Sequence, residues 1–196
     1  MDFDYTRYYM RGWLMNFFGR NQRAAEAFEH AFKANPKSAQ AARHLAAIAA
    51  QKKDMAGAEK WFEAVVQIEP GDGDSWFNLG FVRDAAGKKH EAIAAFTQSV
   101  TILPNLDRAW YGLGLACAAT GNHAEAVRAL NEAVRLQPMN GIGYYQLGMA
   151  YYHLHDPESV EKIATKLVKF DPKHAERLMH DAERADLLHL LPEPLR

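Results

Sequence analysis

Apolar positions along this chain recur at helical spacing in short segments that come in pairs, each pair separated by a polar break. In each segment the large apolar residues fall three or four positions apart, which is typical of an amphipathic helix with one buried stripe. Two such segments joined by a short break predict a helix, a turn and a second helix. We call these helix A and helix B.

The pair of helices repeats along the chain with a fixed period. Five prolines stand 34 residues apart, and they are Pro36, Pro70, Pro104, Pro138 and Pro172. Because proline disfavours helical geometry in the residue before it, we expect it to end helix B at position 32 of each unit. The predicted repeats are 5–38, 39–72, 73–106, 107–140 and 141–174.

Other residue types fall into columns when the repeats are aligned. Position 4 is an aromatic residue in four repeats, and position 7 is leucine in four. Positions 8 and 20 are mostly glycine or alanine, small enough for helices A and B to approach closely. Position 24 holds Phe28, Phe62, Phe96, Leu130 and then Ala164. Repeats of this kind bury their apolar faces only by stacking on neighbours.

The breaks between helices A and B carry their own signals. Gly19, Gly87 and Gly121 stand where helix A should end in a left-handed residue. Asp54, Asn122 and Asp156 are placed to cap the helix that follows.

These columns resemble the tetratricopeptide repeat (TPR), with its aromatic residue, Leu-Gly, later alanine, large apolar residue and closing proline. Segments such as SWFNLG and AWYGLG carry the resemblance best. The resemblance implies an all-α, right-handed superhelical solenoid of helix-turn-helix repeats, organised as a single domain over 1–196. The stretch 175–191 is predicted to add a C-terminal capping helix, with a loose tail from Pro192 to Arg196.

The same resemblance implies a concave groove lined by the A helices. Carrying the groove positions of the family onto this chain places aromatic residues, methionine and arginine there, the types enriched at protein interfaces. The predicted contact residues are Tyr9, Trp13, Arg43, Phe77, Asn78, Phe81, Arg108, Tyr111, Tyr145 and Met149. The alternative is that several of these pack against the adjacent B helix.

Some co-chaperone members of the family hold a peptide carboxylate with basic residues and asparagines at set positions. Arg43, Asn78 and Arg108 match that pattern here, while Ala47 and Gly112 do not. Three of the five positions still predict a positive pocket for a carboxylate.

The N-terminus offers a second candidate surface because aromatic residues crowd its first helix. No earlier repeat is predicted to cover them, so some should pack on helix B of their own repeat, and the others form a homodimer contact or dock a partner. They are Phe3, Tyr5, Tyr8, Tyr9, Trp13, Phe17 and Phe18.

Composition narrows the classes of function. A net charge of −1 argues against nucleic-acid binding, and no apolar run is long enough to span a membrane. The N-terminus lacks the layout of a signal peptide, which favours the cytoplasm. Cys117 is the only cysteine and is predicted to be a buried packing residue.

Catalytic chemistry finds no support in the spacing of reactive residues. Gly71 and Gly73 are not followed by the lysine of a phosphate loop. His153 and His155 are two apart, so they fall on opposite sides of a helix rather than at a metal. We therefore expect no enzyme activity, no metal and no cofactor.

The sequence predicts a protein-interaction scaffold that holds a peptide or helix of a partner protein in its groove. Two alternatives remain open at this stage. One is a self-assembling structural protein that uses its N-terminal aromatic end. The other is an accessory module that positions a substrate for a separate enzyme.

Overall fold

The computed structural model describes residues 3–193, and all of their regular secondary structure is helical. Residues 194–196 of the predicted C-terminal tail lie outside this range. The helices, in chain order, are α1 Phe3–Phe17, α2 Asn21–Ala34, α3 Ala39–Gln51, α4 Met55–Ile68, α5 Gly73–Ala85, α6 Lys89–Ile102, α7 Asp107–Ala119, α8 His123–Leu136, α9 Gly141–His153, α10 Pro157–Val168 and α11 Pro172–Asp181, followed by a 3-10 helix, Ala185–Leu190.

The helices form two compact units that meet in sequence between Leu103 and Pro104. In the first unit, the pairs α1/α2, α3/α4 and α5/α6 pack as helix-turn-helix hairpins, and α2 and α4 each also contact the A helix that follows. In the second unit, α7/α8 and α9/α10 are the hairpins, and α11 packs against both α9 and α10. The five predicted helix pairs are therefore confirmed.

The turn between helices A and B has the same backbone geometry in every repeat. Gly19, Gly87 and Gly121 have φ values of 68°, 79° and 78°, so the predicted left-handed glycines are confirmed. Lys53 and His155 occupy the same position of the second and fifth repeats with φ values of 60° and 56°. This left-handed residue ends helix A and lets helix B begin after one more residue.

Side-chain caps then start the B helices where they were predicted. Asp54, Asn122 and Asp156 accept hydrogen bonds from backbone N–H groups in the first turns of α4, α8 and α10. Each cap satisfies one donor that the helix cannot pair internally.

The prolines that recur every 34 residues also form hydrogen bonds with the A helix that follows them. The indole Nε1–H of Trp76 donates to the carbonyl of Pro70 at 2.9 Å, and that of Trp110 donates to Pro104 at 2.8 Å. In both cases the tryptophan at position 4 of one repeat is hydrogen-bonded to the proline that closes the repeat before it. The proline and tryptophan columns are thus two halves of one contact.

The C-terminal part departs from the predicted pattern in two ways. Pro172 does not end helix B, because α10 already ends at Val168; it stands at the first position of α11, where no backbone N–H is needed. The predicted capping helix over 175–191 is instead the end of α11 followed by the 3-10 helix. Glu183, with a φ of 56°, breaks it.

Candidate functional site

Exposed aromatic residues mark the A helices of the first unit. Trp13 and Phe17 on α1 are 47% and 70% exposed, and Phe81 on α5 is 59% exposed. The rings of Trp13 and Phe17 stack with centroids 5.9 Å apart. Large apolar side chains in water are the kind of surface that partner binding covers. We call this set, with Ala47, the A-helix face.

Ala47 belongs to the A-helix face because it occupies position 9 of its repeat, as Trp13 and Phe81 do in theirs. It is exposed, and its small side chain stands on the helix between the two that carry the aromatics. In the second unit, position 9 is filled by half-buried Leu115 and Met149. Neither Ala47 nor Leu115 was among the predicted contact residues, although the 34-residue period shows that position 9 is apolar in every repeat.

Three other predicted contact residues of the first unit are partly buried. The ring of Tyr9 meets Phe28 edge-on at 5.6 Å, and its hydroxyl is 3.1 Å from His44 Nε2. Burial, with a smaller effect of Tyr5, raises the pKa of Tyr9. Phe77 is half-buried with its ring 6.0 Å from that of Phe96, and Asn78 is half-buried beside it.

Arg43 is held by carboxylates of its own chain. Its Nη2 is 2.7 Å from Asp72 Oδ2 and also hydrogen-bonds Glu69. Burial alone would lower the pKa of Arg43, but the hydrogen bonds to Asp72 and Glu69 outweigh it and raise that pKa. A guanidinium that already binds two carboxylates has little attraction for a third. We therefore leave Arg43 out of the contact surface, and the predicted carboxylate pocket loses one of its charges.

The predicted contact residues of the second unit separate into exposed and buried ones. Arg108 is exposed at the start of α7, and Tyr111 is half-buried, so burial raises the pKa of its hydroxyl. Tyr145 is only 8% exposed. Its hydroxyl donates to Asp181 at 2.8 Å, and the Arg177 guanidinium lies 4.6 Å above its ring. Tyr145 thus anchors α11, and partner contact through it is not retained.

The reactive residues do not assemble into a chemical site. Within residues 3–193 no three His, Cys, Asp or Glu side chains come together in a way that would hold a metal ion. Cys117 is buried, as predicted, and burial raises the pKa of its thiol. Over the same range, each helix is too short or too polar to cross a membrane.

The fold and its exposed face define the class as a helical-repeat protein with the features of an interaction module. The tetratricopeptide repeat model matches residues 17–74, 73–140 and 119–175. Because these matches cover most of the chain, the chain belongs to the tetratricopeptide repeat family. No curated protein sequence matches it significantly.

Solved structures share the fold at low sequence identity. The crystal structure of a MamA protein has 20% identity and a TM-score of 0.78, covering 95% of this chain and 98% of its own. YrrB, described as "a TPR protein with an unusual peptide-binding site", has 20% identity and a TM-score of 0.79, covering 90% of both chains. PilF of Pseudomonas aeruginosa has 17% identity and a TM-score of 0.66, covering 98% and 94%. These likenesses concern the fold.

Proposed function

We propose that this protein is an interaction scaffold that binds a segment of a partner protein on the A-helix face of its first unit. The observation that carries the proposal is the 59% exposure of Phe81, an aromatic side chain on a helix whose opposite face is well buried. An unsupported aromatic ring in water is unfavourable, and covering it on binding contributes favourably to affinity.

The chemistry of the A-helix face indicates what the partner segment presents. Ala47 is exposed and occupies the repeat position that Trp13 and Phe81 occupy in theirs, so the face is apolar at each of these positions. Arg43, on the same helix as Ala47, is already paired with Glu69 and Asp72. The segment is therefore a peptide or helix that recognises the face through apolar side chains rather than through a terminal carboxylate.

Membership of the repeat family supports binding of a peptide or protein as the general role, and so does the peptide-binding site ascribed to the structurally similar YrrB. An accessory module that presents a substrate to a separate enzyme would use the same face. The two functions differ in what is captured, because the accessory module requires that an enzyme be among the bound proteins.

The test is affinity capture from a lysate of the source organism, read by quantitative mass spectrometry. Phe81→Glu is compared with Met139→Glu, a change of an exposed residue (72%) in the turn after α8. The proposal expects a specific protein to be reduced at least about tenfold by the first variant and unaffected by the second. Equal capture by wild type and Phe81→Glu would contradict it.

A further inference from the structure

The first helix is apolar on two opposite sides. Its inner side, which includes buried Gly12 and half-buried Tyr5 and Tyr9, packs on the rest of the first unit. Its outer side carries exposed large apolar residues in a line along the helix. We call this line the outer stripe: Phe3, Met10, Trp13, Leu14 and Phe17, exposed by 76%, 55%, 47%, 44% and 70%. A helix that is hydrophobic on both sides is normally covered on both sides.

The other repeats show that a helix is what covers this side. Leu14 stands at position 10 of its repeat. The same position holds Ile48, Val82, Ala116 and Ala150, which are 5%, 2%, 0% and 2% exposed. Only in the first of the five repeats is position 10 open to water. The surface around Leu14 therefore has the form of a helix-packing face without its helix.

We propose that the outer stripe packs against the outer stripe of a second copy of this chain, with the two α1 helices antiparallel around a two-fold axis through Met10. Three of the five stripe residues map onto stripe residues about that axis, while Trp13 and Leu14 map onto Arg7 and Thr6. In this register residue i of one copy faces residue 20 − i of the other, so Phe3 faces Phe17 and Met10 faces Met10. A self-complementary patch is what a two-fold interface requires.

Charge favours the antiparallel direction. Asp4 lies at the start of α1, while Arg20 and Arg23 lie just beyond its end at the N-terminus of α2. Antiparallel pairing sets the end of α1 that carries Asp4, which also pairs with Arg7, beside the end of the other copy's α1 that leads to Arg20 and the positive end of α2.

The area is sufficient for a weak, reversible dimer. At about 200 Å² for each large side chain, the exposed fractions of the stripe leave roughly 600 Å² of apolar surface on one copy. Complete coverage of both stripes would bury about 1,200 Å², the lower limit for stable interfaces. Among the described residues at the other end of the second unit, the large apolar side chains of Leu178, Met179 and Leu187 are buried rather than aligned in an exposed stripe. A closed pair is thus favoured over an open head-to-tail filament.

Self-association has a consequence that rests on the proposed function. Trp13 and Phe17 belong both to the outer stripe and to the A-helix face, so a dimer covers two of the three exposed aromatics there. Dimer and partner complex then compete for α1. Phe81 is outside the stripe and Met10 is outside the A-helix face, so substitutions at these two residues separate the two proposals.

The experiment is sedimentation of the purified chain from about 1 to 200 µM, a range over which a weak dimer dissociates by mass action. Wild type and Met139→Glu should show a concentration-dependent dimer. Met10→Glu and Met10→Lys, each placing like charges together on the axis, should remain monomeric with unchanged helicity by circular dichroism. An equimolar mixture of the two should recover the dimer, since only pairing through Met10 sets Glu against Lys.

Three results would overturn the proposal. The first is a wild-type chain that stays monomeric throughout the range, which would leave the outer stripe to a different occupant. The second is a Met10→Glu variant that dimerises as strongly as wild type. The third is an equimolar mixture of the two variants that stays monomeric. As a check on the register, Met10→Cys in a Cys117→Ala background should form a disulfide-linked dimer on mild oxidation, which requires the two residues to face each other across the axis. Absence of this cross-link would also count against the register.

Discussion

The backbone of Gly80 on α5 lies directly against the ring of Phe96 on α6, so that a Cβ added at Gly80 would stand 2.7 Å from Phe96 Cδ1. The same pairing joins Gly12 to Phe28 and Gly114 to Leu130. Positions 8 and 24 of the repeat therefore form one contact in which the missing side chain of one helix makes room for the large side chain of the other.

We expect Gly80→Ala to destabilise the protein by about 1 kcal/mol. The buried ring of Phe96 cannot move aside without strain of about 1–3 kcal/mol, which exceeds the gain of somewhat under 1 kcal/mol from replacing a helical glycine. Thermal unfolding followed by circular dichroism measures the change. Gly71→Ala is the matched control, because nothing lies within 4 Å of a Cβ there. Equal melting temperatures for both variants would contradict the argument.

The repeat architecture was predictable from sequence because its determinants are local and recur. The helix pairs, the left-handed glycines and the caps at Asp54, Asn122 and Asp156 each depend on residues within one repeat. The left-handed turns at Lys53 and His155 were not recognised, since neither residue is a glycine. There the two helices that the turn must join impose the left-handed conformation, which brings the Cβ atom of Lys53 or His155 close to the following carbonyl oxygen.

Contacts between repeats were much harder to predict. The pairing of Arg43 with Asp72 joins residues 29 apart, and the sequence offers several carboxylates at comparable distance. Tyr145 matches the groove pattern of the family, yet α11 covers it. Ala164 is too small to fill the space beside Gly148, and Leu178 of α11 fills it instead, its Cδ2 2.5 Å from where a Cβ on Gly148 would lie. A repeat pattern cannot show what a non-repeating helix will cover.

Because Leu178 fills the space beside Gly148 that Ala164 is too small to fill, it stabilises the second unit. It is fully buried, and we expect Leu178→Ala to lower the free energy of unfolding by about 2–4 kcal/mol through the cavity it leaves beside Gly148. Urea unfolding gives the value. Leu188→Ala removes an exposed leucine of the 3-10 helix (37% exposed) and should change it by less than about 0.5 kcal/mol. A small effect at Leu178 would mean that α11 is not part of the folded unit.

An ion-pair network joins α4 to α5 around Arg83. Its Nη2 is 2.6 Å from Glu63, its Nε is 3.2 Å from Glu59, and Lys88 Nζ is 2.7 Å from Glu59. The hydrogen bond from Lys88, aided by that from Arg83, lowers the pKa of Glu59. The side chains of Arg83 and Glu59 are only 17% and 13% exposed, so solvent screens their attraction poorly.

We therefore expect Arg83→Ala to destabilise the first unit by about 2 kcal/mol. The change removes the positive charge and the hydrogen bonds that offset the negative charges of the partly buried Glu59 and Glu63 carboxylates. Arg135→Ala breaks the exposed pair with Glu132 on α8 and should cost less than about 0.5 kcal/mol. Urea denaturation of both variants in low and high salt would test the difference. Comparable losses in the two variants would show that the Arg83 network is no stronger than a surface pair.

The last prediction concerns two histidines of the second unit. The rings of His123, at the start of α8, and His153, at the end of α9, stack with centroids 4.6 Å apart and planes 19° from parallel. The Nδ1 atom of His123 is buried and has no hydrogen-bond partner within residues 3–193. Burial lowers the pKa of His123, and the neighbouring His153 lowers it further.

The direction of the pH effect follows from this lowered pKa. The fold favours neutral His123, so its contribution is complete above the unfolded pKa of about 6.5 and declines as the pH falls through the lower folded value. His44, stacked on Phe28 at 4.4 Å in the first unit, has a pKa lowered by burial and acts in the same direction.

We expect the melting temperature to fall between pH 7.5 and pH 5.5. His123→Phe keeps an aromatic ring against His153 but cannot be protonated, so it should reduce that fall, while His90→Phe, at an exposed position of α6, should leave it unchanged. An identical pH dependence in wild type and His123→Phe would show that this stacked pair does not couple folding to protonation.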